Sequence, residues 1–155
     1  MNTRFMNAAM EVALSGLEAG KGGPFGAVIV KDGVMIAMAS NEVIQNNDPT
    51  AHAEVNVIRK ACEVLGTFQL DGCDLYTTCE PCPMCLGAIY WARPSRVFFA
   101  ATRFDAATAG FDDSFIYDEI NRPAEKRKIP FQQMKVEGID VLFERWKSSP
   151  LKKPY

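Results

Sequence analysis

The sequence predicts an α/β fold, a central mixed five-stranded sheet flanked by helices, in a single domain spanning residues 1–155. Three observations predict it. Apolar residues switch along the chain between helical spacing and β-type runs, in the order α-β-β-α-β-α-β-(α)-β. Hydrophobic residues make up 48% and charged residues 23%, so 155 residues can bury a core and are far from disordered composition. No repeat, low-complexity tract or linker divides the chain.

From Thr3 to about Ala19, Phe5, Ala9, Val12 and Gly16 form one helical stripe, and Met6, Met10, Ala13 and Leu17 a neighbouring one. Gly20, Gly22 and Gly23 stop that helix. "PFGAVIVKDGVMIAMAS" holds two apolar runs joined at Asp32-Gly33, a strong hairpin signal. The polar loop "NEVIQNNDPT" leads to Asp48-Pro49-Thr50, a helix start, and the helix is predicted over 50–65 with Gly66 beyond its end. "CDLYTTC" reads as a strand, then a Pro-bounded turn and a helix to Ala92, which Pro94 ends. "RVFFAA" is apolar throughout, as a buried strand would be. Residues 102–127 read as loop with a short helix, and "KVEGIDVLFER" offers a fifth strand.

The formal net charge is −2, and Lys and Arg concentrate only in the short stretches "NRPAEKRK" and "LKKPY". An acidic balance gives no electrostatic footprint for a phosphate backbone, so no nucleic-acid partner is expected. Asn7, Glu11 and Ser15 interrupt the apolar N-terminal stretch, which excludes a signal-peptide reading, and no run is long enough to span a bilayer. A cytoplasmic protein without a membrane partner is the expectation. Five cysteines, three of them crowded into "TCEPCPMC", fit metal or redox chemistry there better than a disulfide framework.

The only histidine, His52, lies in "PTAHAEVNVI". His52, Cys82 and Cys85 would give zinc three protein ligands and leave a fourth corner for water. Cys82-Pro83-Met84-Cys85 at a helix start lets two sulfurs converge, and His52 stands in the first turn of another helix. Two helix N-termini would then favour thiolates and hydroxide at one place. Cys79 is the rival fourth ligand. A third thiolate would make the site anionic and fill the open corner, and Pro81 and Pro83 separate Cys79 from the helix turn. The alternatives are a redox Cys-x-x-Cys and a hydrogen-bonded buried histidine, neither of which needs an acid two residues after the histidine. Zinc lowers the pKa of a bound water from about 15.7 toward ~7. Glu54 beside it reads as a proton shuttle rather than a ligand. The alternative for Glu54 is a helix N-terminal acid favoured by the dipole.

His-x-Glu followed by Pro-Cys-x-x-Cys, here "HAE" at 52–54 and "PCPMC" at 81–85, is the pattern of zinc nucleobase deaminases. The chain resembles the cytidine deaminase-like superfamily. From "GGPFGAVIVKDG" through "GFDDSFIYDEI" it is similar to its bacterial guanine deaminase branch. That resemblance implies a cytidine deaminase-like three-layer sandwich, one Zn²⁺ per subunit, and hydrolysis of a small purine base, guanine to xanthine and ammonia. It also implies a homodimer with exchanged C-terminal segments. Asn41 matches a base-contacting asparagine, with a turn residue as the alternative. Phe25 matches an aromatic stacked on the purine, and Trp91 a residue beside the pocket; core packing is the alternative for both. Asp113 of "AGFDDSF" is placed against the guanine N1–H and N2 amine, aiding proton movement, while Asp112 faces elsewhere; a solvated loop is the alternative. Tyr155 matches a C-terminal tyrosine that closes the active site, against the alternative of a frayed terminus.

Guanosine deamination is the nearest rival, since "GGPFGAVIV" and "DPTAHAEV" resemble that branch as well. tRNA adenosine deamination would call for basic surface that this chain lacks, and cytosine deamination is a third enzyme option. Outside enzymes, a zinc-stabilised binding module is the remaining reading.

Overall fold

A computed structural model describes residues 3–155. Its elements are α1 (Thr3–Glu18), β1 (Gly26–Lys31), β2 (Val34–Ser40), α2 (Val43–Asn46), α3 (Ala53–Leu65), β3 (Cys73–Cys79), α4 (Pro83–Ala92) and β4 (Arg96–Ala101). After these come α5 (Arg103–Thr108), α6 (Ser114–Ile120), a 3-10 turn (Ala124–Lys126) and α7 (Asp140–Ser148). The chain divides into two compact units, one ending at Ser114 and the other covering Phe115–Tyr155.

In the first unit the sheet order is β2-β1-β3-β4, with β1 antiparallel to β2 and β3, and β3 parallel to β4 through the α4 crossover. The β1–β2 hairpin turns on Asp32 and Gly33, both at positive φ (50° and 77°), as a two-residue loop matching strand twist requires. Strand alternation splits the core in two. Ala27 and Ile29 of β1 and Leu75 of β3 pack with Ala53, Val57 and Ala61 of α3 and Ile89 of α4. Val28, Val30 and Tyr76 face the other way, onto Phe5 and Ala9 of α1. Helices on both faces of a mixed sheet make the expected three-layer sandwich.

Three details correct the sequence reading. The sheet has four strands among the described residues, because Asp140–Ser148 is helical and Lys135 to Gly138 form no strand. Ile139, Leu142, Phe143 and Trp146 recur at 3, 4 and 7 residues, so the helical period prevails over β-branched composition. The apolar run of β4 is an edge strand rather than a buried one: Phe99 is 49% exposed and Val97 36%. On α1 the buried stripe is Phe5, Ala9, Ala13 and Gly16, with Ala13 replacing Val12.

The second unit, taken by itself, is held by polar contacts around α6. The Glu119 carboxylate accepts from the Lys128 backbone N–H at 2.6 Å and pairs with Arg122 at 3.0 Å, and the Glu119 carbonyl accepts from Arg127 Nε at 3.1 Å. No residue after Ala92 is buried in the single chain.

α1 presses onto β1 where Gly26 has no side chain. A Cβ there would strike the Ala9 carbonyl oxygen and come within 2.8 Å of the Ala13 nitrogen, both backbone atoms that cannot rotate away. Gly26→Ala is expected to destabilise the fold by roughly 1–3 kcal/mol, measured by denaturant unfolding; an unchanged midpoint would show that α1 can shift freely.

Candidate metal centre

Two helix N-termini meet beyond the C-terminal end of β3. His52 is the N-cap of α3 and Cys82 the N-cap of α4, both with extended backbone (φ −68°, ψ 155° and φ −63°, ψ 167°). Neither side chain makes a capping hydrogen bond, so imidazole and thiol remain available. Pro83 fits the first helical position, where no N–H is needed. One helical turn into α4, Cys85 returns to the same point.

The donor atoms of His52, Cys82 and Cys85 all lie within 4.8 Å of one another. His52 Nδ1 is 3.6 Å from Cys82 Sγ and 3.5 Å from Cys85 Sγ. A tetrahedral zinc with bonds of ~2.3 Å to sulfur and ~2.0–2.1 Å to nitrogen sets an S···N edge of ~3.5–3.6 Å. Both distances match that edge, and one nitrogen with two soft sulfurs is a zinc donor set. His52, Cys82 and Cys85 would hold the ion, and their two thiolates would neutralise it and leave one position for water. Cys79 stands outside this group. Its sulfur is 3.6 Å from the Thr102 carbonyl, and burial, with the negative Glu54 nearby, pushes its thiol up to about 11.

The protons of the metal-free triad are unevenly shared. A hydrogen bond from Cys85, supported by His52, draws the Cys82 thiol down to about 4. Cys85 shifts upward, since it gives that bond and is buried. The bond to Cys82 raises the His52 imidazole. Cys85 must therefore release a proton when metal arrives, and its sulfur points at Glu54 Oε2, 3.4 Å away.

Glu54 is the second residue of α3 and only 6% exposed. Burial pushes its carboxyl above the usual range, against the opposing hydrogen bonds from Thr77 and Cys85. The Thr77 hydroxyl donates to Glu54 Oε1 at 2.8 Å. Spacing alone gave no sign of Thr77; a hydroxyl on the inward face of β3, between Leu75 and Cys79, was the available signal. Asn56, one turn beyond His52, was also missed. Its amide donates to the Ser40 and Ala51 carbonyls, 3.1 Å each, tying the residues before Asn41 and before His52 together.

Asn41 is buried, and its Oδ1 accepts from the Gly23 and Val43 backbone N–H groups at 3.3 and 3.2 Å. Both bonds use the side-chain oxygen and neither uses the NH2 group. Phe25 is half-buried, packed against the α3-side core and edge-on to Phe111, with ring centres 4.9 Å apart. The adjacent carboxylates diverge: Asp112 accepts from the Ser114 N–H and is lowered, whereas burial and then the Cys82 charge raise Asp113. Trp91 is 63% exposed on α4 and so is not core in the single chain. In the second unit, Tyr155 is 68% exposed, its ring centre 6.4 Å from that of Trp146.

Residues 1–101 match the family of the cytidine and deoxycytidylate deaminase zinc-binding region. The chain is 62% identical over 151 residues to the guanine deaminase of Bacillus subtilis (strain 168), covering 97% of each. The X-ray structure of a Bacillus subtilis guanine deaminase superposes with a TM-score of 0.97 at 61% identity, covering 100% of this chain and 99% of that one. A guanine deaminase structure from Nitrosomonas europaea is similar at 32% identity and TM-score 0.69, over 73% of this chain and 65% of that one. The tRNA-specific adenosine deaminase of Agrobacterium fabrum is 50% identical, over 64% of each chain. This chain therefore belongs to the cytidine and deoxycytidylate deaminase zinc-binding family, in its guanine deaminase branch.

Proposed function

We propose that this protein is a zinc-dependent aminohydrolase that converts guanine and water to xanthine and ammonia. One observation carries the reading: His52 Nδ1 stands at tetrahedral-edge distance from two cysteine sulfurs, with the buried Glu54 carboxylate 3.4 Å from one of them. Guanine, rather than guanosine or an adenosine in RNA, is favoured by the near-full-length likeness to a guanine deaminase. The tRNA-deaminase likeness leaves over a third of the chain unmatched, and the net charge of −2 is poorly suited to RNA.

When bound, zinc supplies the Lewis acidity that makes a nucleophile of water at neutral pH. The chain's own residues handle the substrate and its protons. Glu54 takes the water's proton and passes it to ring N3 as C2 is attacked; it then takes the proton of the new C2 hydroxyl and hands it to the amine, so that the C2–N2 bond breaks, ammonia leaves and the C2 carbonyl forms. A carboxyl raised by burial suits both directions of that transfer. Asn41 presents its NH2 group to an acceptor on the base, because its oxygen is held by backbone N–H groups. Phe25 offers a ring face to the purine. Asp113 accepts from N1–H and the N2 amine, and its half-buried position strengthens such bonds. Trp91 is assigned to the pocket margin.

The working form is proposed to be a cytoplasmic homodimer with exchanged C-terminal segments, in which Tyr155 closes the neighbouring active site. Support comes from the second unit itself, which buries nothing while carrying Leu142, Phe143, Trp146 and Leu151 at its surface. No helix among the described residues is long and apolar enough to cross a membrane.

Glu54→Ala is expected to keep one zinc per chain, by elemental analysis, and to lower kcat for ammonia release from guanine by about 10²–10⁴-fold. Unchanged turnover would make the site structural. Glu54→Ala and Tyr155→Ala proteins, each impaired alone, should regain about one quarter of parental activity when unfolded and refolded together, since half the dimers then hold one intact site. Mixed dimers without recovery would place Tyr155 in its own subunit's site.

A further inference from the structure

We propose that Thr77 is a positioning residue that fixes Glu54 through one carboxylate oxygen and leaves the other as the oxygen presented to the metal centre. The inference rests on the reaction proposed above and adds a residue to it.

Thr77 sits mid-way along β3, paired with Ala27 of β1 on one side and Phe99 of β4 on the other. Its face of the strand also carries Leu75, in the α3-side core, where packing alone calls for an apolar side chain. A valine would have the same shape. Thr77 nevertheless places a hydroxyl there, completely buried, and that hydroxyl donates to Glu54 Oε1 at 2.8 Å. No buried side-chain nitrogen or oxygen lacks a partner among the described residues, so the hydroxyl and the carboxylate satisfy each other.

The two partners differ in stiffness. Thr77 is β-branched, with a restricted χ1, on a strand held from both sides. Glu54 has three side-chain torsions and stands at the start of a helix. The strand thus acts as the fixed post and the glutamate as the arm. With Oε1 tied to Thr77, Oε2 lies on the Cys85 side, 3.4 Å from its sulfur. The carboxylate has one oxygen for anchoring and one for proton exchange. Removing the hydroxyl would leave the fold's shape intact and free the arm to swing.

Thr77→Val keeps the packing and loses the hydroxyl, whereas Thr77→Ser keeps the hydroxyl and loses a methyl. The Val protein is expected to lose at least ~10-fold in kcat for guanine, with KM within about 2-fold and zinc content unchanged. The Ser protein should lie within about 3-fold of the parent in kcat while melting at a lower temperature, because it carries the cavity. A merely structural role predicts the opposite order. Parental kcat in the Val protein, or equal losses in both, overturns the proposal. If the Val protein does not fold, the Ser and Ala proteins, both lacking the methyl, should differ by about 10-fold in kcat; equal rates overturn it. Crystal structures of the zinc-loaded variants test the placement even if guanine proves not to be the substrate. Glu54 displaced in Val and unmoved in Ser supports the proposal, and Glu54 unmoved in both refutes it.

Discussion

Two helices begin at the same point, and the rest of the site depends on it. α3 and α4 each start with a residue whose backbone is extended and whose side chain is spared from capping, and these residues are His52 and Cys82. The first turn of α4 then brings Cys85 back beside them, so one nitrogen and two sulfurs approach to within a zinc tetrahedron's edge. The unpaired N–H groups of two helix starts stabilise negative charge there. That setting favours the thiolate form of Cys82 and Cys85, the form in which they would bind a metal. Asn56 secures the approach by clamping the chain before His52 to the end of β2.

The sandwich is asymmetric in its burial. Up to Ala92 the chain fills two apolar layers, one on each face of the sheet. Beyond it, β4 is a sheet edge and nothing is buried in the single chain, although aromatic and aliphatic residues remain frequent. Apolar surface on that scale favours association. The candidate metal-site residues are grouped in the unit that packs its own core, and Tyr155, proposed to close a site, lies in the unit that does not.

The parts legible in the sequence were those fixed by short-range rules. Asp32-Gly33 announced its hairpin because few residue pairs accept positive φ at both positions. His52, Glu54, Cys82 and Cys85 were readable because their offsets place them at defined positions of a helix start. The last strand was misread because "IDVLFER" is rich in β-formers while its apolar residues repeat at helical spacing. β4 reads as buried in the sequence because both its faces are apolar, a pattern shared by core strands and uncovered edges. Thr77 gives only a faint signal, for a different reason. Threonine is an ordinary strand residue, and only the carboxylate from α3 above it shows that its hydroxyl has a task.

The proposed site holds zinc with one histidine and two cysteines and leaves the fourth corner to solvent. X-ray absorption spectroscopy on the zinc-loaded, full-length protein reads that shell directly. That shell gives two sulfur scatterers at ~2.3 Å and two light scatterers at ~2.0–2.1 Å, one from His52 and one from water. A third sulfur in the shell, contributed by Cys79, would contradict it, because the corner required for chemistry would then be filled.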